Sequence, residues 1–232
     1  MSASVLSVNL GRAALDRGKP SNTTGIDKQP VTFAEVAAPG ARTLTRGLGP
    51  KRRGGLAGDY IGDGKHHGGD VQAVYAYARE DLDRLGAQVG RSFASGSFGE
   101  NLTTLGLDVT GALIGERWRV GAGADAVQLA VTCPRIPCNT FRAWIAERGW
   151  LKIFTRAALP GAYLSVITPG VVRQGDPIEV TFRPDHEVSI GVLFRSQTLE
   201  RELAPLVLTA SAYLDAESLD YASRGETFTI GG

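Results

Sequence analysis

Short apolar runs bounded by glycine constrain this chain more than any other feature. Leu113 to Val120, Val127 to Thr132, Ala162 to Val166 and Pro177 to Phe182 are such runs, and they predict strands of a compact antiparallel barrel. Ser2 to Leu10 carries Val5, Leu6, Val8 and Leu10 and reads as a first strand ending at Gly11; Gly25 to Val36 reads as loop, then strand. From Ala73 to Gly90 the rhythm changes. Val74, Tyr77, Ala78, Leu82 and Leu85 recur at helical spacing, and Arg79, Glu80, Asp83 and Arg84 supply a polar face, so an inserted helix is expected there. Past Pro184 three brief helical patterns follow, near Ile190 to Phe194, Leu199 to Leu206 and Asp215 to Ala222, with Pro205 interrupting the second. The expected fold is mainly β with α (α+β): a β-barrel with inserted helices over residues 1–184 and a small three-helix domain over 185–232.

Composition narrows the partners. A formal net charge of +1 on 232 residues gives little global field, so a nucleic acid polymer or an anionic membrane is not expected to bind nonspecifically, and a small molecule is the expected partner. No apolar run is long enough to cross a bilayer, and the N-terminus lacks a basic-then-apolar secretory pattern, which makes the cytoplasm the expected compartment. Cys133 and Cys138 are the only cysteines, too close in sequence to staple a domain, and a reducing compartment keeps both as thiols. One long stretch, Ala37 to Gly58, is rich in Gly, Ala, Arg and Pro and carries the basic run Lys51-Arg52-Arg53; an exposed insertion is the favoured reading and a lid over a site the other.

Three segments can carry chemistry. In Thr132-Cys133-Pro134-Arg135-Ile136-Pro137-Cys138, two prolines fix φ on either side of Arg135. A stiff loop presents Cys138 at a set position, and the nearby cation favours its thiolate, the form that binds metals and attacks electrophiles; the plainer alternative is a buried apolar thiol. Gly58 to Gly69 gathers His66 and His67 with Asp59 and Asp63 among five glycines. Zinc is a weak reading there, because adjacent histidines diverge on a strand whereas a tetrahedral site needs converging ligands. Gly96-Ser97-Phe98-Gly99-Glu100-Asn101-Leu102-Thr103-Thr104 is a glycine-punctuated loop with polar side chains. Neither Ser95 nor Ser97 lies in a nucleophile-elbow pattern, and Gly121-Ala122-Gly123 precedes a strand rather than a helix, so a hairpin turn explains it better than a dinucleotide site.

In this order the segments resemble the MOSC family, the domain of molybdenum-cofactor sulfurase C-termini, and within it the YiiM-like branch. The resemblance rests on Gly25-Ile26-Asp27-Lys28-Gln29-Pro30-Val31, Gly58-Asp59 through His67-Gly68-Gly69, Val74-Tyr75-Ala76-Tyr77, Gly96 through Thr104, Ile114-Gly115-Glu116-Arg117 and Pro134 to Cys138. It spans about residues 5 to 182, and the tail from His186 resembles the three-helix domain that follows the barrel in this branch. Two features depart from it: the longer, more basic Ala37 to Gly55 region and the additional thiol Cys133.

The resemblance implies a MOSC β-barrel, molybdopterin-bound molybdenum as cofactor and Cys138 as the metal's protein ligand. It places Lys28, His67 and Arg135 in the basic site motifs, where they would anchor the anionic cofactor, steer substrate or supply a proton. Asn101 and the amides around Gly68 and Gly99 are expected to hydrogen-bond the pterin or its phosphate. The activity implied is reduction of N-hydroxylated compounds, such as hydroxylaminopurine base analogues, by an oxidoreductase recharged by an electron-donor protein. The alternative is a cofactor carrier or sulfur-transfer protein, in which Cys138 bears a persulfide that Cys133 resolves. The helical tail is a candidate docking site for the donor.

Overall fold

In the computed structural model, which describes residues 2–40, 54–228 and 230, most of the expected runs become strands of one sheet. The chain enters through β1 (Ser4–Gly11), turns through a small hairpin of β2 (Ala14–Asp16) and β3 (Lys19–Thr24), and continues into β4 (Lys28–Val31) and β5 (Phe33–Val36). The Lys51-Arg52-Arg53 run lies outside the described residues. At the end of that stretch Leu56 is buried, bridging Val36, and the Gly55 amide donates to the Ala73 carbonyl, so this end is anchored rather than exposed.

Next come β6 (Val74–Ala78), α1 (Arg79–Val89), β7 (Leu102–Leu105), β8 (Arg117–Val120), β9 (Val127–Pro134), α2 (Asn139–Ile145) and α3 (Trp150–Ala157). The chain then adds β10 (Ala162–Thr168), β11 (Gly170–Arg173) and β12 (Ile178–Phe182). The helix expected over Ala73 to Gly90 is therefore corrected in its first part: Val74 to Ala78 is a strand, and the helix starts at Arg79. The reason lies in what the strand separates. Val74, Ala76 and Ala78 face one core, whereas Tyr75 and Tyr77 face another. Both faces are buried, so period-two alternation of small and aromatic residues carries no polar signal and is read as part of the helical pattern.

The large sheet runs β12-β8-β9-β10-β6-β7-β1-β4. Its neighbours are antiparallel except β6 and β7, which pair in parallel because α1 carries the chain back across the sheet between them. A closed barrel is not found, which corrects that expectation. β4 occupies one edge of β1 over Val8 to Gly11, leaving Ala3 to Val5 for the far end of the sheet. Contact there is limited to the isolated bridge Ser4–Pro177 and a few neighbouring backbone bonds; Pro177 has no N–H with which to extend a ladder. The result is a curled, mostly antiparallel sheet whose ends touch, with helices packed on it.

After residue 184 the chain forms α4 (Ile190–Thr198), α5 (Ala204–Val207) and α6 (Ala216–Arg224). Ser189 caps α4 by accepting from the Val192 amide, and Asp215 caps α6 through the Glu217 and Ser218 amides. Pro205 lies in the first turn of α5, where a missing N–H costs nothing. α4 reaches both cores: Ile190 and Leu193 join the aliphatic one and Phe194 the aromatic one. Among the described residues no helix is long and apolar enough to cross a membrane.

Candidate functional site

β9 ends at Pro134 and α2 begins at Asn139, so only a short, proline-bounded loop separates them, and Cys138 is the N-cap residue of α2 in extended conformation. Its side chain packs half-buried against the aromatic core. Burial pushes the Cys138 thiol up, but a hydrogen bond from His67, the charges of Arg135 and His67 and the Phe141 amide outweigh it and bring the thiol down to about 6. Cys138 is thus mostly thiolate at neutral pH.

Arg135 lies behind it and is buried. Its guanidinium carbon sits 4.1 Å from the centroid of Phe141 and 5.5 Å from that of Tyr75, and its Nη1 donates to the Phe98 carbonyl. Burial disfavours the charge, yet the Tyr75 and Tyr163 hydroxyls and the Cys138 sulfur hold the Arg135 pKa above its ordinary value. Among the described residues Arg135 pairs with no carboxylate, and its buried Nε finds no hydrogen-bond partner. The Cys138 thiolate is the anion whose charge acts on this buried guanidinium, and the Nε–H is left over without an acceptor among the described residues. Gly99 adjoins the guanidinium at φ +77°, a conformation that disfavours side chains; a Cβ there would press on Ile26 Cγ1 at 3.3 Å and only touch Arg135 Nη1 at 3.5 Å.

The site residues expected from sequence fall into two groups. Cys138, His67, Arg135 and Gly99 converge around the thiol, and Gly68, buried at φ +78°, shapes the backbone next to His67. Lys28 and Asn101 belong to a separate network centred on Asp59. Lys28 Nζ lies 2.5 Å and 2.6 Å from the two Asp59 carboxylate oxygens. Asp59 also accepts from the Gly11 amide at 2.7 Å and from Asn101 Nδ2 at 2.9 Å, while Asn101 Oδ1 accepts from the Tyr75 amide. Lys28 is therefore a compensated charge, and Asn101 stitches β1, β6 and the Asp59 loop together. His66 is exposed while His67 is half-buried, and among the described residues no group of three or more His, Cys, Asp or Glu converges on a metal position. Cys133 is buried in β9, opposite Tyr163.

Sequence reasoning assigned no role to Asp59, Tyr75, Phe141 or Glu100. Asp59 lay inside a recognised segment, but its partner Lys28 is 31 residues away, and nothing local marks Glu100 as fully buried. Two concavities lie near Asp27 and Trp144. A groove of about 560 Å³ is lined by Lys28, Asp27, Ser95, Ser97 and Trp144 among others, and a smaller one of about 150 Å³ shares Asp27 and Trp144 with it. Neither is lined by Cys138, Arg135 or His67; the link is Ser97, whose carbonyl accepts from Trp144 Nε1 at 2.8 Å next to the Arg135-bound Phe98.

Residues 63–179 match the family model of the MOSC domain. The chain is 28% identical over 188 residues to the uncharacterized protein YflK of Bacillus subtilis, covering 81% of this chain and 77% of YflK. It is 30% identical over 132 residues to protein YiiM of Escherichia coli, covering 56% of this chain and 57% of YiiM. A Gibberella moniliformis protein named reductase is 28% identical over 174 residues, which is 71% of this chain but only 30% of that protein. In fold, the crystal structure of YiiM from Geobacillus stearothermophilus is similar with a TM-score of 0.72 at 22% identity, covering 96% of this chain and 98% of that one.

Proposed function

This chain belongs to the MOSC domain family, which is associated with molybdenum cofactor binding, and on that premise we propose that it is a molybdenum-cofactor-dependent reductase of N-hydroxylated compounds with Cys138 as metal ligand. Hydroxylaminopurine-type bases are the substrate class in view. The observation that carries the reading is the pairing of a thiolate at Cys138 with a buried Arg135 that has no carboxylate partner among the described residues and an Nε–H left without an acceptor.

The residues suit the group. Molybdopterin presents the metal through two sulfurs and carries a phosphate, so it needs a soft protein ligand and buried positive charge, and Cys138 and Arg135 are of those kinds. When bound, the cofactor supplies the two-electron chemistry that takes oxygen from an N–O bond. With two electrons and two protons, an N–OH group becomes N–H and water, the electrons coming from an external donor protein. Arg135 keeps the Cys138 sulfur anionic and offers Nε to an anionic group. His67, whose side chain hydrogen-bonds Cys138, supplies a proton to the departing oxygen. Lys28 lines the large groove with its charge already balanced by Asp59, which suits it to orient a polar substrate rather than to hold a phosphate. Asn101 acts by holding Asp59, and the backbone beside Gly68 would hydrogen-bond the pterin; the Phe98 and Gly99 amides, expected to share that role, are instead taken by Glu100 Oε2 and the Gly96 carbonyl. The fungal relative named reductase agrees with redox chemistry; the cytoplasm is the proposed compartment.

The test is the molybdenum and pterin content of protein made in a cofactor-competent host, wild type against Cys138→Ala. Near-stoichiometric metal in the wild type, lost in the variant, is expected, followed by reduction of an N-hydroxylated purine with an artificial donor. Metal in neither protein would overturn the reading and favour sulfur transfer, for which Cys133→Ser should then abolish sulfur release.

A further inference from the structure

Glu100 is a buried carboxylate that the mechanism above does not use. It has no exposed surface, and its carboxylate accepts from its own turn and from the strand that follows, while its carbonyl accepts from Asn9 Nδ2 at 3.2 Å. Oε1 accepts from the Gly96 amide at 2.6 Å and from Thr103 Oγ1 at 2.9 Å, and Oε2 accepts from the Phe98 amide at 2.9 Å. Thr103 is itself oriented by Asn9, whose Nδ2 donates to Thr103 Oγ1 at 3.1 Å.

The turn held in this way is the one that meets Arg135. Phe98 is fixed at its amide by Glu100, at its carbonyl by Arg135 Nη1 and at its ring by Phe93, Tyr77 and Phe141. Gly99, the next residue, stands at φ +77°, the left-handed conformation by which the turn closes beside the guanidinium. A neutral side chain of the same shape reproduces only part of this, because an amide NH2 has no lone pair for a backbone N–H. One of the two amide bonds is lost and a buried donor faces a buried donor.

We propose that Glu100 is a positioning residue of the Cys138 centre: by fixing the Gly96 to Gly99 turn it holds the Phe98 carbonyl where the Arg135 guanidinium is seated. The proposal rests on the functional reading only in giving Arg135 a cofactor to meet. The seating itself is a property of the protein alone, and it adds Glu100 to the residues on which occupancy of the centre depends.

The test compares wild type, Glu100→Gln and Glu100→Asp. In cofactor-free protein, NMR follows solvent exchange of the Arg135 guanidinium protons, assigned with Arg135→Lys, while circular dichroism confirms folding. Both variants are expected to exchange about tenfold faster or more, the change that accompanies loss of a hydrogen bond to a charged group. Should Glu100→Gln fail to fold, Glu100→Asp decides, since it keeps the carboxyl group but is too short to span both amides. A folded variant with a lowered melting temperature and unchanged Arg135 exchange would reduce Glu100 to a stability element and overturn the proposal. Molybdenum content of the same proteins from the cofactor-competent host should fall with the exchange protection. A wild type without molybdenum would sink the functional reading, whereas the exchange comparison would still decide this one.

Discussion

The two cores that β6 separates are built from different materials. On one side lie Val5, Val8, Val74, Leu102, Val127, Leu129, Val131, Leu164 and further aliphatic residues, with Trp118 the one aromatic side chain among its buried members. On the other lie Tyr75, Tyr77, Phe93, Phe98, Phe141, Trp150, Phe154 and Phe194. Aliphatic side chains fill volume with little preference for direction, and sets of similar total volume can replace one another. Aromatic rings are flat and have preferred contacts. Phe98 is their hub, with ring centroids 4.8 Å from Phe93, 5.1 Å from Tyr77, 5.2 Å from Phe141 and 5.4 Å from Trp150. Phe141 in turn offers a face to Arg135. The aliphatic core stabilises the sheet, whereas the aromatic core also seats a charge, and only the second adjoins Cys138.

That division can be broken by mutation. Phe98→Ala should cost about 3–5 kcal/mol in urea unfolding and also slow alkylation of Cys138 at pH 7; an unchanged alkylation rate would dissolve the distinction. Leu129→Ala, in the aliphatic core, should cost about 3 kcal/mol yet leave Cys138 alkylation as it is. Arg135→Ala sharpens the comparison electrostatically. In the cofactor-free wild type the alkylation rate should rise with pH around a midpoint near 6. Removing the cation disfavours the thiolate, so the midpoint should move up by about one pH unit and the rate at pH 6 should fall; a downward or absent shift would contradict the role given to Arg135. The smallest effect is expected from Ser189→Ala, which removes the cap of a helix feeding both cores. It should lower stability by about 1 kcal/mol with no change at Cys138.

Legibility followed the range of the interaction. The proline-bounded loop before Cys138 was plain because Pro134 and Pro137 act on their own backbone. The strands at Val127, Ala162 and Ile178 were plain because glycines or polar turns bound them. β6 was not, since burial on both faces removed the polar alternation that marks a strand. The pairing of Lys28 with Asp59 and the complete burial of Glu100 were not legible either, because charged residues lie on surfaces by default and local sequence does not say which exceptions find partners.

The amino-acid sequence by itself determined the mixed α and β composition, the stiff approach to Cys138, the helical tail and the family to which the chain belongs. These depend on local backbone preferences and on short ordered motifs. Tertiary structure alone decided that the sheet stays open, that Lys28 is neutralised by Asp59 and that Arg135 is left without a carboxylate among aromatic rings. Each of these turns on which groups meet after distant strands pair, and the free energy of a charge depends on that company and on the water removed with it.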